Sequence, residues 1–509
     1  MSREEFDVAV IGGGITGAGI ALDAGARGLK VALIERRDFS SGTSSRSSKL
    51  IHGGLRYLER LQFGLVRESL QERATLQRIA PHLARTLAFV VPIYEPPRRS
   101  PLGDSKLKLA AGLTLYDLLA GRRGLGKHFW LEGKQASAFA SGLDTRGLRG
   151  CFVYYDALTD DSRLVVEVIK TASAHGAVIA NYAGARELIR VGGRIAAVVV
   201  EDSVARRTHE VRARLVINAT GVWSDQVARL AGEGATRTLR PSKGVHVVVP
   251  AEKVRCTSAV LIPSLGENRF LFVIPWHGRT LIGTSDSDYD GDLDDPVANR
   301  EEIQQIVSSC ADYFPESNLT TADVISSFAG LRPLVGGAGS STKDLSRKEH
   351  ITETSSGLIS VIGGKLTTYR RIAERVTDIA QAKLGRGDSI RASTDRIILA
   401  GGSVPEWAAK DKAEGRASQY GVTAETVEHL MRTYGGNHDA ILEITRESEL
   451  LKRHLVQGAP NIEAEAVYAG RYEMVATADD FLSRRTRIAL LDAGHGTSFT
   501  ARVAELIRL

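Results

Sequence analysis

Three glycines near the start of the chain are spaced as a phosphate-binding turn requires. Gly12, Gly14 and Gly17 follow the apolar run of residues 6–11 and open a helical stretch. The first glycine permits a tight turn, the second lets the backbone approach a pyrophosphate, and the third lets the helix pack closely on the strand. The helix N-terminus offers unpaired N–H groups to phosphate oxygens. This spacing predicts a dinucleotide site.

An acidic residue follows at the position expected for ribose recognition. A second apolar run, residues 30–34, ends at Glu35, whose carboxylate would accept hydrogen bonds from ribose hydroxyls. An acid there also disfavours a 2′-phosphate, so NADP is not expected. The motif alone does not distinguish NAD from FAD.

The loop after Glu35 is rich in serine and glycine and extends to Tyr57. Its composition alone would favour a flexible linker. However, it directly follows the dinucleotide unit and ends in His52, Gly53 and Gly54, with Arg56 and Tyr57 close behind. These residue types suit a binding site better than a spacer.

Two more glycine-containing turns follow apolar runs. Residues 218–221 (NATG) follow the run 215–217, and residues 363–365 (GGK) separate an expected strand at 357–363 from an expected helix at 366–383. Ligands lie at the carboxyl ends of strands in open α/β sheets. Without the other motifs, an ordinary β-turn would explain NATG about equally well.

Several long motifs, in order, resemble the FAD-dependent glycerol-3-phosphate dehydrogenases. IGGGITGAGIALDAGARG and TSSRSSKLIHGGLRYLE carry the strongest resemblance, which covers most of residues 5–385 and continues faintly to RTYG at 432–435. Further similar stretches are residues 218–223, 242–250, 273–286, 330–334 and 363–374. The resemblance implies an α/β FAD-binding fold, Rossmann-like and of the glutathione-reductase/amino-acid-oxidase type. An antiparallel-sheet substrate domain and a helical C-terminal domain would complete it.

The resemblance implies FAD contacts from the glycine turns and the serine-rich loop. The GGK turn would direct a second helix N-terminus at the flavin and stabilise negative charge on its reduced form. The expected cofactor contacts are Gly12, Gly14, Ile15, Thr16, Gly17, Glu35, Arg36, Thr43, Ser44, Ser45, Ser48, Lys49, Leu50, His52, Gly53, Ala219, Thr220, Gly221, Gly364, Lys365, Leu366 and Thr367.

The substrate implied by the resemblance is glycerol 3-phosphate, a dianion with a secondary alcohol. Arginine forks and a lysine suit its phosphate. By resemblance, the substrate contacts are Arg56, Tyr57, His246, Arg332 and Lys365.

Oxidation moves a hydride from the alcohol carbon to flavin N5 and releases the hydroxyl proton. Histidine can accept such a proton near neutral pH, which makes His52 and His246 the candidates. The sequence does not choose between them, and Arg332 is a third catalytic candidate as stabiliser of a developing alkoxide.

The motifs divide the chain into three expected domains. Residues 1–85, 150–240 and 355–387 would form the FAD-binding domain, with a helix at 163–175 capped by the run Asp160, Asp161 and Ser162. Residues 86–149 and 241–354 would form the substrate domain, because alternation at 244–250 and 269–283 favours an antiparallel sheet. Residues 388–509 would form a helical C-terminal domain with helices at 424–434 and 462–476.

Composition indicates a globular protein of a reducing compartment. The chain has 509 residues, 43% apolar and 25% charged, which is too long for one ordinary core. The 3 cysteines are widely spaced and predict neither a disulfide framework nor a metal site. The opening residues lack a signal-peptide core, and no apolar run approaches a membrane span. A net charge of +6 suits anionic ligands or a lipid surface, and no nucleic-acid motif accompanies it.

Residues 96–130 combine basic residues with leucines. The sequence allows a surface helix packed on its own protein or an amphipathic segment lying in a lipid interface. The resemblance favours the second, and so a cytoplasmic protein peripheral on the inner face of the cytoplasmic membrane, passing electrons to a membrane quinone. The basic residues are Arg98, Arg99, Lys106, Lys108, Arg122, Arg123 and Lys127.

Other functions stay open at the sequence level. A glycerol-3-phosphate oxidase using oxygen is the nearest alternative, and a related enzyme acting on an amino or hydroxy acid is a weaker one. A catalytically silent flavin-binding interaction protein is a third, against which the basic residues Arg56, Arg332 and Lys365 argue. The role of the C-terminal domain and the oligomeric state are open too, with a homodimer as one option.

Overall fold

The structure is a computed structural model that describes residues 4–95, 105–232, 239–265, 269–336, 348–386, 390–403 and 410–509. Its strands are β1 (Glu5–Ile11), β2 (Val31–Ile34), β3 (Leu50–Ile51), β4 (Arg85–Tyr94), β5 (Phe129–Glu132), β6 (Leu148–Leu158), β7 (Val178–Ala180), β8 (Ala183–Val191), β9 (Arg194–Asp202), β10 (Arg207–Asn218), β11 (Leu239–Pro250), β12 (Ala259–Pro263), β13 (Phe270–Trp276), β14 (Arg279–Gly283), β15 (Ser287–Asp288), β16 (Ser326–Val335), β17 (His350–Glu353) and β18 (Leu358–Ile362).

The helices alternate with these strands in the first part of the chain and dominate its last part. They are α1 (Ile15–Ala26), α2 (Phe63–Ile79), α3 (Lys106–Ala120), α4 (Asp161–Ala174), α5 (Ser224–Leu230), α6 (Arg300–Tyr313), α7 (Tyr369–Lys383), α8 (Lys410–Tyr420), α9 (Ala424–Tyr434), α10 (His438–Ile444), α11 (Glu463–Tyr472), α12 (Ile488–Leu491) and α13 (Thr500–Leu506).

The first sheet is built around parallel strands, in the order β17-β18-β10-β1-β2-β7, with β9 paired to β10 and β8 paired to β9. Ile11 lies opposite both Asn218 and Ile34, so the strands β1, β10 and β2 end together. This register brings the three sequence motifs that follow these strands to one edge of the sheet.

Helices α1, α4 and α7 pack on the first sheet through an apolar core that includes Val10, Ile20, Val168 and Val376. The helix expected at 163–175 begins two residues earlier. Of the run predicted to cap it, Asp160 is the cap, because its side chain accepts a hydrogen bond from the Arg163 N–H at 3.0 Å, whereas Asp161 and Ser162 lie inside the helix.

The second sheet is mainly antiparallel, in the order β15-β11-β14-β13-β12-β4-β6-β3, with β16 on β11 and β5 on β6. Its apolar residues pack against α6 on one side and against α3 on the other. The antiparallel pairing expected at 244–250 and 269–283 is present in β11, β13 and β14.

Strand β6 pairs with β4 in this second sheet, although the expected division assigned residues 150–158 to the nucleotide-binding segments. Its long apolar run is buried between neighbouring strands and carries no signal for the sheet it joins. The three-domain division itself stays a prediction.

The last part of the chain has its own apolar core, which includes Val427, Leu430, Val467 and Phe481. The helix expected at 424–434 coincides with α9, whereas α11 ends at Tyr472, short of the expected residue 476. Among the described helices, none has the length and apolar character needed to cross a bilayer.

Candidate active site

The carboxyl ends of the parallel strands and the start of α1 line a cavity of about 580 Å³, here called the long cavity. It reaches from the end of β2 past the end of β10 to the turn after β18. Its lining includes these predicted residues: Gly12, Gly14, Ile15, Thr16, Glu35, Arg36, Thr43, Ser44, Ala219, Thr220, Gly221, Gly364, Lys365 and Leu366.

Glycine is required in the first turn because the backbone is packed against itself. A Cβ on Gly17 would lie 1.9 Å from the Gly12 carbonyl oxygen, which is far inside contact distance. Gly12 has a φ of +113°, and a Cβ there would lie 2.7 Å from the Ala219 carbonyl oxygen. The Ser44 hydroxyl oxygen accepts a hydrogen bond from the Ile15 N–H at 3.0 Å and so ties the serine-rich loop to α1.

Glu35 is held at the end of β2 by two backbone donors. Its carboxylate accepts hydrogen bonds from the Gly13 N–H at 2.7 Å and the Arg37 N–H at 2.9 Å. Burial raises the pKa of Glu35, and these two donors partly oppose that effect. The carboxylate therefore lies beside the phosphate-binding turn, where a ribose hydroxyl would find an acceptor.

Trp223 and Arg36 both line the long cavity. The central carbon of the Arg36 guanidinium lies 4.5 Å from the centre of the Trp223 ring. Its indole N–H is buried and has no hydrogen-bond acceptor among the described residues. Such a donor in a ligand cavity fits a bound group with acceptor atoms.

A second cavity of about 230 Å³, here called the short cavity, continues from the long one. The two share Thr43, Ser47, Pro333 and residues 363–366 as lining. The short cavity is further lined by the predicted residues Ser48, Leu50, His52, His246, Arg332 and Thr367.

Arg332 reaches the short cavity from β16, where it pairs with Ser242 of β11. Its guanidinium donates to Asp286 Oδ1 at 3.0 Å, to the Ser242 hydroxyl at 3.3 Å and to the Thr284 hydroxyl at 3.2 Å. Asp286 therefore fixes the orientation of Arg332 and balances part of its charge.

His246 is buried on β11 and stacks on the Phe328 ring, with centres 4.9 Å apart. Its Nε2 lies 2.9 Å from the Ser48 hydroxyl, while its Nδ1 has no partner among the described residues. Burial lowers the pKa of His246 well below its usual range, and the charges of Lys49 and Arg332 add to this effect. The ring is therefore neutral at neutral pH.

Lys365 lies where the two cavities join. Its Nζ is 3.3 Å from the Ser69 hydroxyl and 3.8 Å from the centre of the Tyr57 ring. Tyr57 thus contacts the site through Lys365, whereas Arg56 is exposed and lines neither cavity. The His52 N–H donates to the Thr367 hydroxyl at 3.2 Å, which joins the serine-rich loop to the second glycine turn.

Four of the predicted cofactor residues lie behind the cavities rather than on them. Lys49 is fully buried and its Nζ is 2.8 Å from Asp161 Oδ2, and the Gly53 N–H donates to the Tyr116 hydroxyl at 2.9 Å. The Ser45 carbonyl accepts from Lys49, and Gly17 packs on Gly12. These residues shape the loop and the turn.

Other lining residues were not singled out from the sequence. Arg46, Ser47, Trp223 and Thr284 lie within the long motifs, so their proximity to predicted residues was the only signal. Residues 183–186 line the long cavity from β8, which carries no motif.

The joined cavities fit FAD. The amides that start α1 would face the pyrophosphate and Glu35 the adenosine ribose, while residues 364–366 would lie at the flavin end. The short cavity then offers space for a small substrate beside that end.

Comparison with known proteins agrees with this assignment. A family model described as FAD dependent oxidoreductase matches residues 7–370, and one described as the C-terminal domain of alpha-glycerophosphate oxidase matches residues 392–508. Glycerol-3-phosphate dehydrogenase 2 of Mycobacterium tuberculosis is 38% identical over 510 residues, covering 100% of this chain and 85% of that protein.

A second relative, the aerobic glycerol-3-phosphate dehydrogenase of Staphylococcus saprophyticus, is 36% identical and covers 96% of this chain and 87% of its own. Among solved structures, the glycerol-3-phosphate dehydrogenase from Bacillus halodurans complexed with FAD superposes with a TM-score of 0.81. It is 33% identical and covers 100% of this chain and 91% of its own. These matches confirm the predicted fold class and FAD as the cofactor.

Proposed function

Because the chain belongs to the FAD-dependent glycerol-3-phosphate dehydrogenase family, we propose that it oxidises sn-glycerol 3-phosphate to dihydroxyacetone phosphate. One observation carries the proposal: His246, Arg332 and Lys365 meet in a cavity of about 230 Å³ that joins the long cavity. Bound FAD would supply the two-electron acceptor, taking a hydride at N5. The chain itself must bind the phosphate, orient the alcohol and remove its proton.

Phosphate binding falls to Arg332 and Lys365. The Arg332 guanidinium is held in place by Asp286, Ser242 and Thr284, so its positive charge has a fixed position in the short cavity, where it would attract the phosphate. Lys365 adds a second positive charge at the junction with the long cavity. Tyr57 supports the Lys365 ammonium through its ring face.

The proton acceptor is His52 in this proposal, and His246 orients the substrate. A group whose pKa lies far below neutrality holds a proton weakly, so His246 suits a neutral hydrogen-bonding role. His52 lies in the same cavity on the flavin side, beside Thr367. Arg332 would stabilise negative charge on the substrate oxygen as the proton leaves.

The substrate assignment is tested by comparing glycerol 3-phosphate with glycerol, using a soluble dye as acceptor. Glycerol should be a very poor substrate. Arg332→Ala should lower kcat/KM for glycerol 3-phosphate by about 10- to 150-fold, which is the equivalent of a lost hydrogen bond to a charged group. Arg212→Ala, which removes an exposed arginine that lines neither cavity, is the matched control. Similar efficiency for both alcohols would show that the phosphate site is wrongly assigned.

A quinone is the proposed electron acceptor. The relatives are named dehydrogenases, which favours a carrier other than oxygen itself. Enzyme reduced anaerobically by substrate should regain its oxidised flavin spectrum much faster with a short-chain quinone than with air-saturated buffer. Faster recovery in air would favour the oxidase alternative.

Helix α3 supports a peripheral membrane location. It packs on the second sheet through Leu109, Leu113 and Tyr116, so the self-packing interpretation holds for one face. On the other face, Leu107 is 83% exposed and Leu118 is 71% exposed. Arg122 and Arg123 follow it, whereas Arg98 and Arg99 lie outside the described residues.

This location is tested with anionic lipid vesicles. Replacing Arg98, Arg99, Arg122 and Arg123 with Gln should release the protein from pelleted vesicles, since each cation near such a surface contributes roughly 1 kcal/mol. Dye-linked activity should persist and activity with a lipid-dissolved quinone should fall. The charge-matched control replaces four exposed arginines of the first sheet: Arg190, Arg194, Arg207 and Arg212. If the native protein does not bind anionic vesicles at low salt, this surface is not a membrane anchor.

A further inference from the structure

The loop that carries His52 is held from behind by three buried polar side chains, here called the buried polar group. Its members are Arg73 on α2, Tyr116 on α3 and Asp156 on β6, and each is at most 2% exposed. None of the three lines the long or the short cavity. They therefore act on the site only through the residues that they contact.

The hydrogen bonds of the buried polar group converge on Asp156. Its carboxylate accepts from the Tyr116 hydroxyl at 2.8 Å and from Arg73 Nη1 at 2.5 Å. Burial raises the pKa of Asp156, and the charge of Arg73 and these hydrogen bonds oppose that effect. Burial and the charge of Asp156 raise the pKa of Tyr116 well above its usual range, so the phenol keeps its proton. The Tyr116 hydroxyl thus donates to Asp156, while its oxygen can accept a second hydrogen bond.

Gly53 connects the buried polar group to the active site. Its N–H donates to the Tyr116 hydroxyl at 2.9 Å and to Asp156 Oδ1 at 3.3 Å. This approach is close, since a Cβ on Gly53 would lie 2.5 Å from the hydroxyl oxygen. The preceding amide is also fixed, because the His52 N–H donates to the Thr367 hydroxyl. Two successive backbone amides are therefore held from two different parts of the fold.

We propose that Tyr116 is a positioning residue for the oxidation and acts through the Gly53 N–H on the orientation of His52. This inference rests on the proposed function, in which His52 accepts the hydroxyl proton. A base works only within hydrogen-bond reach of the proton that it removes, and a small misplacement lowers the rate. Loss of the Tyr116 hydroxyl should therefore slow the reaction and leave phosphate binding by Arg332 and Lys365 nearly unchanged.

The test is the rate of flavin reduction when FAD-loaded protein is mixed anaerobically with glycerol 3-phosphate. Tyr116→Phe keeps the ring and removes only the hydroxyl. It should lower the rate at saturating substrate about fivefold, as the loss of one hydrogen bond predicts. Tyr434→Phe is the matched control, because its buried hydroxyl also donates to a carboxylate, that of Glu465 at 2.9 Å, but lies in the C-terminal core. Both variants should lose some folding stability, whereas only Tyr116→Phe should lose rate.

A double-mutant cycle shows whether the effect passes through His52. In a His52→Ala background, Tyr116→Phe should change the reduction rate by less than about twofold, because the side chain that it positions is gone. The same loss with and without His52, or a native rate for Tyr116→Phe alone, would overturn the inference and leave the proposed function standing. A native protein whose flavin is not reduced by glycerol 3-phosphate would contradict the proposed function and this inference with it.

A second measurement does not depend on activity. Hydrogen–deuterium exchange at the Gly53 N–H should be about fivefold faster in Tyr116→Phe than in the native protein, because that amide loses its shorter hydrogen bond. The amides of α1 should exchange at the native rate, and Tyr434→Phe should leave Gly53 unaffected. Native exchange at Gly53 in Tyr116→Phe would overturn the inference, whatever the activity of the enzyme.

Discussion

Adding a single methyl group at Gly17 should weaken FAD binding. The Cβ of Gly17→Ala would lie 1.9 Å from the Gly12 carbonyl oxygen, which is a backbone atom of the phosphate-binding turn. Because Cβ atoms do not approach other atoms closer than about 3 Å, α1 and the turn must separate by about 1 Å.

The overlap should lower FAD affinity, because FAD requires the close geometry of the turn and the helix N-terminus. Part of the cost should also appear in the stability of the apoprotein, because α1 packs in the core of the first sheet. Overpacking of this kind costs roughly 1–3 kcal/mol, so the increase in Kd should reach at most about 5- to 150-fold.

The assay is FAD binding to apoprotein, followed by quenching of flavin fluorescence, with thermal unfolding of the apoprotein measured in parallel. Gly112→Ala in α3 is the matched control, because no atom lies within 4 Å of the added Cβ. It should bind FAD as the native protein does. A Gly17→Ala protein with native FAD affinity would refute the assignment of this turn to the pyrophosphate.

Two further predictions concern groups around the site. Burial by itself would raise the pKa of Asp160, but the charge of Arg487 outweighs burial and holds that pKa well below its usual range. The ionised Asp160 therefore stabilises the fold above about pH 4, and this contribution is lost as the pH falls below that value. In denaturant titrations, Asp160→Asn should therefore be less stable at neutral pH and lose less stability between about pH 5 and pH 3; an unchanged pH dependence would contradict this. Ser48→Ala removes the hydroxyl 2.9 Å from His246 Nε2 and should lower dye-linked kcat about fivefold, the equivalent of a hydrogen bond worth about 1 kcal/mol, with little change in KM. An unaltered kcat would remove Ser48 from the positioning of His246.

The nucleotide-binding half of the site could be predicted because its determinants are local. Strand, turn, helix and acidic residue lie within about thirty residues, and the spacing of Gly12, Gly14 and Gly17 has a direct steric meaning. The cap of α4 was predictable for the same reason, since Asp160 and Arg163 are close in sequence.

What could not be predicted depends on register and on distant segments. Arg332 contacts Asp286 only because β11 lies between β16 and β15 in the second sheet, and no local pattern specifies that pairing. The assignment of β6 to the second sheet depends on neighbours rather than on its own apolar run. A cavity of about 940 Å³ joins residues from β4, the β13–β14 turn and α9, which lie far apart in the sequence.

The most direct test of the central claim is anaerobic titration of the purified yellow protein with sn-glycerol 3-phosphate, following the absorbance of the oxidised flavin. The proposed function predicts that the absorbance falls with added glycerol 3-phosphate, that dihydroxyacetone phosphate appears in equal amount to the flavin reduced, and that glycerol at the same concentration has no effect. An FAD-loaded protein whose flavin stays oxidised in excess glycerol 3-phosphate, yet is reduced by dithionite, would contradict the account.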